Sequence, residues 1–299
     1  MPMKILLVRP GALGDTILTL PIIEAICRKH PGCELSLLGS MQYQCLLPSE
    51  VEVISFENPN WDWIFVGPVS RPSGNPAQFD LAYVILKNHK TVARNLRLAG
   101  IQTVEATSEP EGRKSIVETL CERLSLKTPP RNPCLKHHCV ENTVNRIWMA
   151  PGSGSRKKNA SVGNFAAICN ILRSLGYSDI HVTFGEPDMW LLGEHDMEQF
   201  IKDFRTQTTQ NKTLKEIMTT YCNSLIYIGN DSGVSHLAAA MDIPSIIFFR
   251  ETDPLVWAPW VPFENILIIQ STRLMPLKYP TITHLTRRIE ELLNRKTHN

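Results

Sequence analysis

The sequence predicts an α/β protein built as two halves, each a parallel sheet with helices on both faces. Three observations predict it. Short apolar runs alternate with amphipathic segments along the first part of the chain, a Pro-rich polar connector at 127–143 interrupts them, and the same strand, loop and helix order then restarts. A chain of 299 residues suits two domains of roughly 150 residues each.

Each element has a local reason. Lys4-Ile-Leu-Leu-Val8 is a short apolar run before Gly11 and Gly14, and Ile17, Leu20, Ile23 and Ile26 follow at helical spacing. That reads as strand, tight loop, then a helix over 16–29. Further apolar runs at 34–38, 51–55, 63–66 and 81–86 read as strands, and 90–99 and 112–125 as helices. Beyond the connector, 146–150 reads as a strand ending in a Gly-Ser loop. A helix over 162–175 closes at Gly176, and a strand follows at 179–184. Strands at 224–228 and 245–249 flank a helix over 234–241, and an amphipathic helix covers 282–295. The expected domains are therefore 1–135 and 136–281. Ligands of such open sheets bind beyond the carboxyl ends of the strands.

Composition narrows the classes of function. The formal net charge of +2 makes no strong field, which argues against nucleic acid as a partner. The N-terminal apolar run is too short for a secretory signal, and no apolar stretch approaches the ~20 residues of a membrane span. Eight cysteines without a CxxC pair read as reduced, cytoplasmic thiols. Cys134, His137, His138 and Cys139 cluster in the connector, but no second half stands at zinc-finger spacing, so no metal is expected there. There is also no DxD motif. No cofactor is called for, and Mg2+ is permitted without being indicated.

Four loops carry chemistry. In Arg9-Pro-Gly-Ala-Leu-Gly-Asp15 the glycines are three apart, which is not a dinucleotide fingerprint, and Asp15 would repel a phosphate. This loop offers a carboxylate. Ala150-Pro-Gly-Ser-Gly-Ser-Arg-Lys-Lys158 combines Ser153, Gly154 and Ser155 with Lys157 and Lys158. It suits a diphosphate, or is a solvated turn with surface lysines. Glu186 in Thr183-Phe-Gly-Glu186 either accepts from ribose hydroxyls or is a helix N-terminal acid. Finally, Asp231, Ser232, Gly233 and His236 gather at a helix N-terminus that can seat phosphate. A cap there needs only one polar residue, and the excess favours function.

Taken together, RPGALGDTILTLP (9–21), APGSGSRKKN (150–159), FGEPD (184–188), GNDSGVSHLAAA (229–240) and TDPLVWAPW (252–260) resemble the ADP-heptose:lipopolysaccharide heptosyltransferases, glycosyltransferase family 9. The resemblance covers most of the chain in the family's order. It implies a GT-B fold, two Rossmann-like domains facing across a cleft, with helix 282–295 crossing back to the N-terminal domain. It implies Asp15 as general base, with Gly14 beside it on the acceptor side. Lys158, with Lys157 adjacent, would meet the donor diphosphate, and Glu186 the ribose. Asp231, Ser232, Gly233 and His236 would surround the phosphates and sugar. Lys87, Lys90 and Arg94 could meet an anionic lipid-A-core acceptor, or form a solvated basic face. The implied activity is inverting transfer of heptose from ADP-heptose to the lipopolysaccharide inner core, with peripheral contact at the inner membrane face. Two departures stand out: Ala160-Ser161 replaces the family's Trp-Pro, and its Gly before the Thr-Asp-Pro segment is replaced near Arg250-Glu251. These bear on base recognition and donor identity. The rivals are another nucleotide sugar as donor, an epimerase on the same fold, and a non-catalytic nucleotide-sugar binder.

Overall fold

The computed structural model describes residues 1–66, 78–135, 146–184, 202, 207–210, 213–222, 224–270 and 282–297. The chain divides into two units after Pro130. In the first, β1 (Lys4–Val8), α1 (Leu13–Lys29), β2 (Glu34–Gly39), β3 (Glu52–Ser55), β4 (Leu81–Ile85), α2 (His89–Leu98), β5 (Gln102–Ala106) and α3 (Ile116–Arg123) follow in order. Their sheet runs β3-β2-β1-β4-β5, and every pairing is parallel. The chain winds outward from β1 to β3, then returns to β4 on the other side. The sheet therefore reverses its order between β1 and β4.

The second unit repeats the scheme with β6 (Arg146–Ala150), α4 (Val162–Ser174), β7 (Ile180–Phe184), β8 (Gln207–Gln210), α5 (Leu214–Tyr221), β9 (Ser224–Asn230), α6 (Gly233–Ala240), β10 (Ser245–Phe249), α7 (Pro254–Trp257), β11 (Ile266–Gln270) and α8 (Ile282–Thr297). Its sheet runs β11-β10-β9-β6-β7-β8, again parallel, and reverses between β6 and β9. Each sheet buries apolar strands under helices: Leu6, Val8, Ala82 and Val84 in the first unit, Ile147, Ile226, Ile246 and Phe248 in the second. Strands buried on both faces read as continuous apolar runs, which is why these were legible.

Several boundaries differ from expectation. The run 63–66 is no strand. Asn58 caps a 3-10 turn over Pro59–Ile64 by accepting from the Asn60 N–H at 3.0 Å, and Trp61 and Trp63 turn together into the core beside Phe79. Pro59 in the first turn and the Asn cap outweigh the strand-like composition. The first helix begins at Leu13, three residues earlier than predicted, so Asp15 lies within its first turn. The units part earlier than residue 135, because Leu135 is buried in the second unit, where its N–H donates to Ala240 O. Arg131 also stacks on Trp260 and Phe263 there. Leu285, Ile289, Leu292 and Leu293 of α8 lie in the second unit's core. Of the possible metal cluster, Cys134 is described and partly buried, while His137, His138 and Cys139 lie outside the described residues. Among the described residues no helix is long and apolar enough to cross a membrane.

Candidate functional site

Both reversal points carry the polar residues that the sequence singled out. At the β1/β4 point, Asp15 is held on both oxygens. Arg9 Nη2 donates to Oδ1 at 2.7 Å, and the Ala12 N–H donates to Oδ2 at 3.3 Å. The second contact joins an acid in the first helical turn to an otherwise unpaired backbone donor, as helix N-termini favour. Gly11 makes room for it: a Cβ there would stand 2.8 Å from the Asp15 Cβ and 3.1 Å from Oδ2. Arg9 is 8% exposed and Asp15 36%, so the guanidinium is inside and the carboxylate reaches the surface. Tyr43 faces the same carboxylate. Burial and the Asp15 charge push its phenol above the usual value, against hydrogen bonds from the Leu13 backbone and Gln42.

At the β6/β9 point, two loops are tied into one structure. Asn230, ending β9, donates through Nδ2 to Pro151 O and accepts from the Ala160 N–H at 2.8 Å. Arg250 donates to Asn159 O, which binds the segment after β10 to the same loop. On this frame sits a charged network. Lys158 Nζ is 2.8 Å from Asp231 Oδ2, the Thr252 hydroxyl donates to the same oxygen, and His236 Nε2 is 3.8 Å from Oδ1. Burial pushes the Asp231 carboxyl up. His236, Lys158 and Thr252 outweigh it and bring the pKa down to about 2. Asp231 is therefore a carboxylate at any ordinary pH. Among the described residues, its Oδ2 has two donors and Oδ1 only the more distant imidazole.

The predicted residues divide accordingly. Lys158, Asp231, Ser232, Gly233 and His236 come together around the N-terminus of α6, and Ser232 is its N-cap residue without a side-chain cap bond. The Ser153 hydroxyl is engaged inside its loop, with Asn159 Oδ1 at 2.6 Å and Ser155 O at 2.9 Å. Ser155 accepts weakly from the Lys157 N–H, and the Lys157 side chain is exposed. A Cβ on Gly154 would meet nothing within 4 Å, so the space beside it is open. Glu186 lies outside the described residues. Gly14 is in the first turn of α1. Lys87 is exposed and pairs with Glu109 at 3.0 Å, and Lys90 and Arg94 are exposed one turn apart on α2.

Sequence reasoning missed Arg9, Asn230 and Thr252. The signal for Arg9 was a cation placed directly after an apolar strand run. For Asn230 it was one more polar residue beside Asp231 and Ser232, where a helix cap needs only one. Thr252 lay within a quoted segment but was given no role.

Comparison with known proteins bears on this arrangement. Residues 88–283, about two thirds of the chain, match the family model described as glycosyltransferase family 9 (heptosyltransferase). The match begins beyond the first glycine loop. Lipopolysaccharide heptosyltransferase 3 of Escherichia coli is 21% identical over 293 residues, covering 83% of each chain. The structure of E. coli ADP-heptose lipopolysaccharide heptosyltransferase II is similar at TM-score 0.72 and 16% identity, covering 99% of this chain and 100% of that one. E. coli heptosyltransferase WaaC, solved with ADP, is similar at TM-score 0.67 and 15% identity, covering 97% of this chain and 100% of that one. At these identities the structural likeness shows the fold, which is GT-B.

Proposed function

This chain belongs to glycosyltransferase family 9, and from that premise we propose that it transfers heptose from ADP-heptose to a lipopolysaccharide inner-core acceptor with inversion at the anomeric carbon. The observation that carries the donor half is the network at the β6/β9 reversal point. Lys158 and the amide-rich start of α6 suit a diphosphate, and Asp231 Oδ1, with its weaker partner, suits a sugar hydroxyl. Two relatives of this fold are described with ADP or as using ADP-heptose, which supports adenine as the base.

In this reading the acceptor hydroxyl attacks the anomeric carbon and gives its proton to Asp15, a step that typically contributes about 10²–10⁴-fold. The bond to the diphosphate breaks at the same time, and ADP leaves with its negative charge offset by Lys158 and the α6 amides. No metal is required by this scheme, since the lysine and the amides supply the positive potential. The lipid of the acceptor would bring the enzyme to the inner membrane face as a peripheral protein. Lys90 and Arg94 are the exposed cations for its anionic core, and Lys87 would join them on leaving Glu109.

Calorimetric titration with ADP, UDP, GDP and ADP-heptose tests the donor. Preference for ADP and its sugar is expected, while preference for UDP or GDP moves the donor elsewhere. Asp15→Asn should keep donor binding and lose most turnover with a heptose-deficient lipid-A-core fragment. Unchanged turnover would remove Asp15 as the base. Release of an altered free sugar without acceptor would favour an epimerase, and binding without any turnover a non-catalytic binder.

A further inference from the structure

Arg9 and Asp15 stand six residues apart across one loop, and Arg9 also ties that loop to a strand end 76 residues away. Arg9 directly follows β1, and besides Asp15 its guanidinium reaches Ile85 O, the last residue of β4, at 3.5 Å. It thus spans the reversal point of the first sheet. A planar guanidinium can serve two acceptors in fixed directions, which a single ammonium cannot. Its burial works against its charge and the Asp15 carboxylate works for it.

The two carboxylate oxygens are held unequally. Oδ1 has a short, charge-assisted contact at 2.7 Å, whereas Oδ2 has one backbone N–H at 3.3 Å, near the limit of a hydrogen bond. Among the described residues, charged or titratable groups facing this carboxylate come from two elements, Arg9 after β1 and Tyr43 before β3, and Tyr43 is engaged with Leu13 and Gln42. We propose that Arg9 is the positioning residue for Asp15: it locks Oδ1 against the β1/β4 junction and leaves Oδ2 as the oxygen that takes the acceptor's proton. The inference rests on Asp15 being the base.

A misplaced base costs on the order of 100-fold in rate. Arg9→Met should therefore lower kcat about 100-fold with the dissociation constant for ADP unchanged, and Arg9→Lys should recover part of the loss. The deciding measurement is a double-mutant cycle in the full chain, reading ADP release from ADP-heptose both with a heptose-deficient lipid-A-core fragment and into water. If Arg9 acts through Asp15, Arg9→Met adds nothing to Asp15→Asn. Losses that multiply would overturn the positioning role and leave Asp15 standing as base. Asp15→Asn at the wild-type rate would overturn the base, and the inference with it. No ADP release by the wild type under either condition would overturn both. Should Arg9→Met fail to fold, shown by loss of its cooperative thermal melt, Arg9→Lys carries the cycle, and wild-type kcat in that variant would overturn the proposal.

Discussion

A carboxylate that accepts from a lysine and a threonine on one oxygen, with a buried imidazole 3.8 Å from the other, is stable only while it is charged. Asp231 is in that position, and its pKa of about 2 lies below the ordinary 3.8. A depressed carboxylate stabilises the fold fully above its unfolded pKa, and that stabilisation is lost as pH falls toward the folded value. The window is therefore between about pH 4 and pH 2. Lys158→Met removes one partner of this charge. At pH 7 it should destabilise by roughly 1–2 kcal/mol, the lower part of the range for a hydrogen bond to a charged group because Lys158 is partly exposed. Urea unfolding at pH 7 and pH 3 checks it: the difference from wild type should shrink at the lower pH, where Asp231 begins to take up protons in either protein. An undiminished difference would mean that Lys158 acts by packing instead. The types of residue in this network were legible in the sequence, because loops beyond the carboxyl ends of parallel strands are where such folds carry function. The pairing of Lys158 with Asp231 was not. It joins residues 73 positions apart through strands β6 and β9, and nothing local to either loop encodes that contact.

At the scale of the element, β9 shows how a strand is shaped to present its last residues. Gly229 stands where a Cβ would fall 2.3 Å from the Tyr227 hydroxyl and 2.7 Å from Ser235 Oγ. Those two hydroxyls are 3.0 Å apart, and Ser235 donates to Asn230 O. The glycine thus lets α6 start directly against the end of β9. Both neighbours are packed, so Gly229→Ala cannot be absorbed by a small side-chain shift. Overpacking of this kind costs typically 1–3 kcal/mol, about what is expected in thermal unfolding of this variant. Tyr227→Phe in the same chain removes the nearest clashing atom and should return part of that loss. No recovery would place the strain at Ser235 or in the backbone.

The elements themselves were readable to different degrees for a related reason. Central strands such as β1, β4, β9 and β10 are buried on both faces and announce themselves as apolar runs. The edge strand β5, Gln-Thr-Val-Glu-Ala, is only half-buried and polar, and carries no such signal. β11 is a brief apolar stretch with no periodicity to separate it from a loop, and only its parallel pairing to β10 defines it. Trp61 and Trp63 alternate as a strand would, yet a proline and an asparagine cap decide in favour of a 3-10 turn.

On the scale of the whole molecule, the two units solve one topological problem twice. Each starts at the middle strand of its sheet, winds to one edge and returns to the other side, so each creates one crevice at the carboxyl ends of its strands. The first unit fills that crevice with an ion pair and an acid in a helical turn, while the second fills it with a lysine, a capping loop and a buried aspartate. An identical plan has been given opposite chemistry, and the difference lies in the residues that follow two pairs of strands. Each unit also has a core of its own, and α8 is committed to the second. A nucleotide held only by the second unit should therefore stabilise that unit selectively. At a hundredfold excess over its dissociation constant, a ligand that binds only the folded state adds about 2.7 kcal/mol. Hydrogen exchange of the intact chain with and without ADP reads where that energy appears. Added protection should concentrate in 150–160 and 229–240, with residues 9–16 of the first unit unchanged. Protection spread equally over both units would mean that ADP itself engages the first crevice, and the division of labour between carboxylate and diphosphate would have to be redrawn.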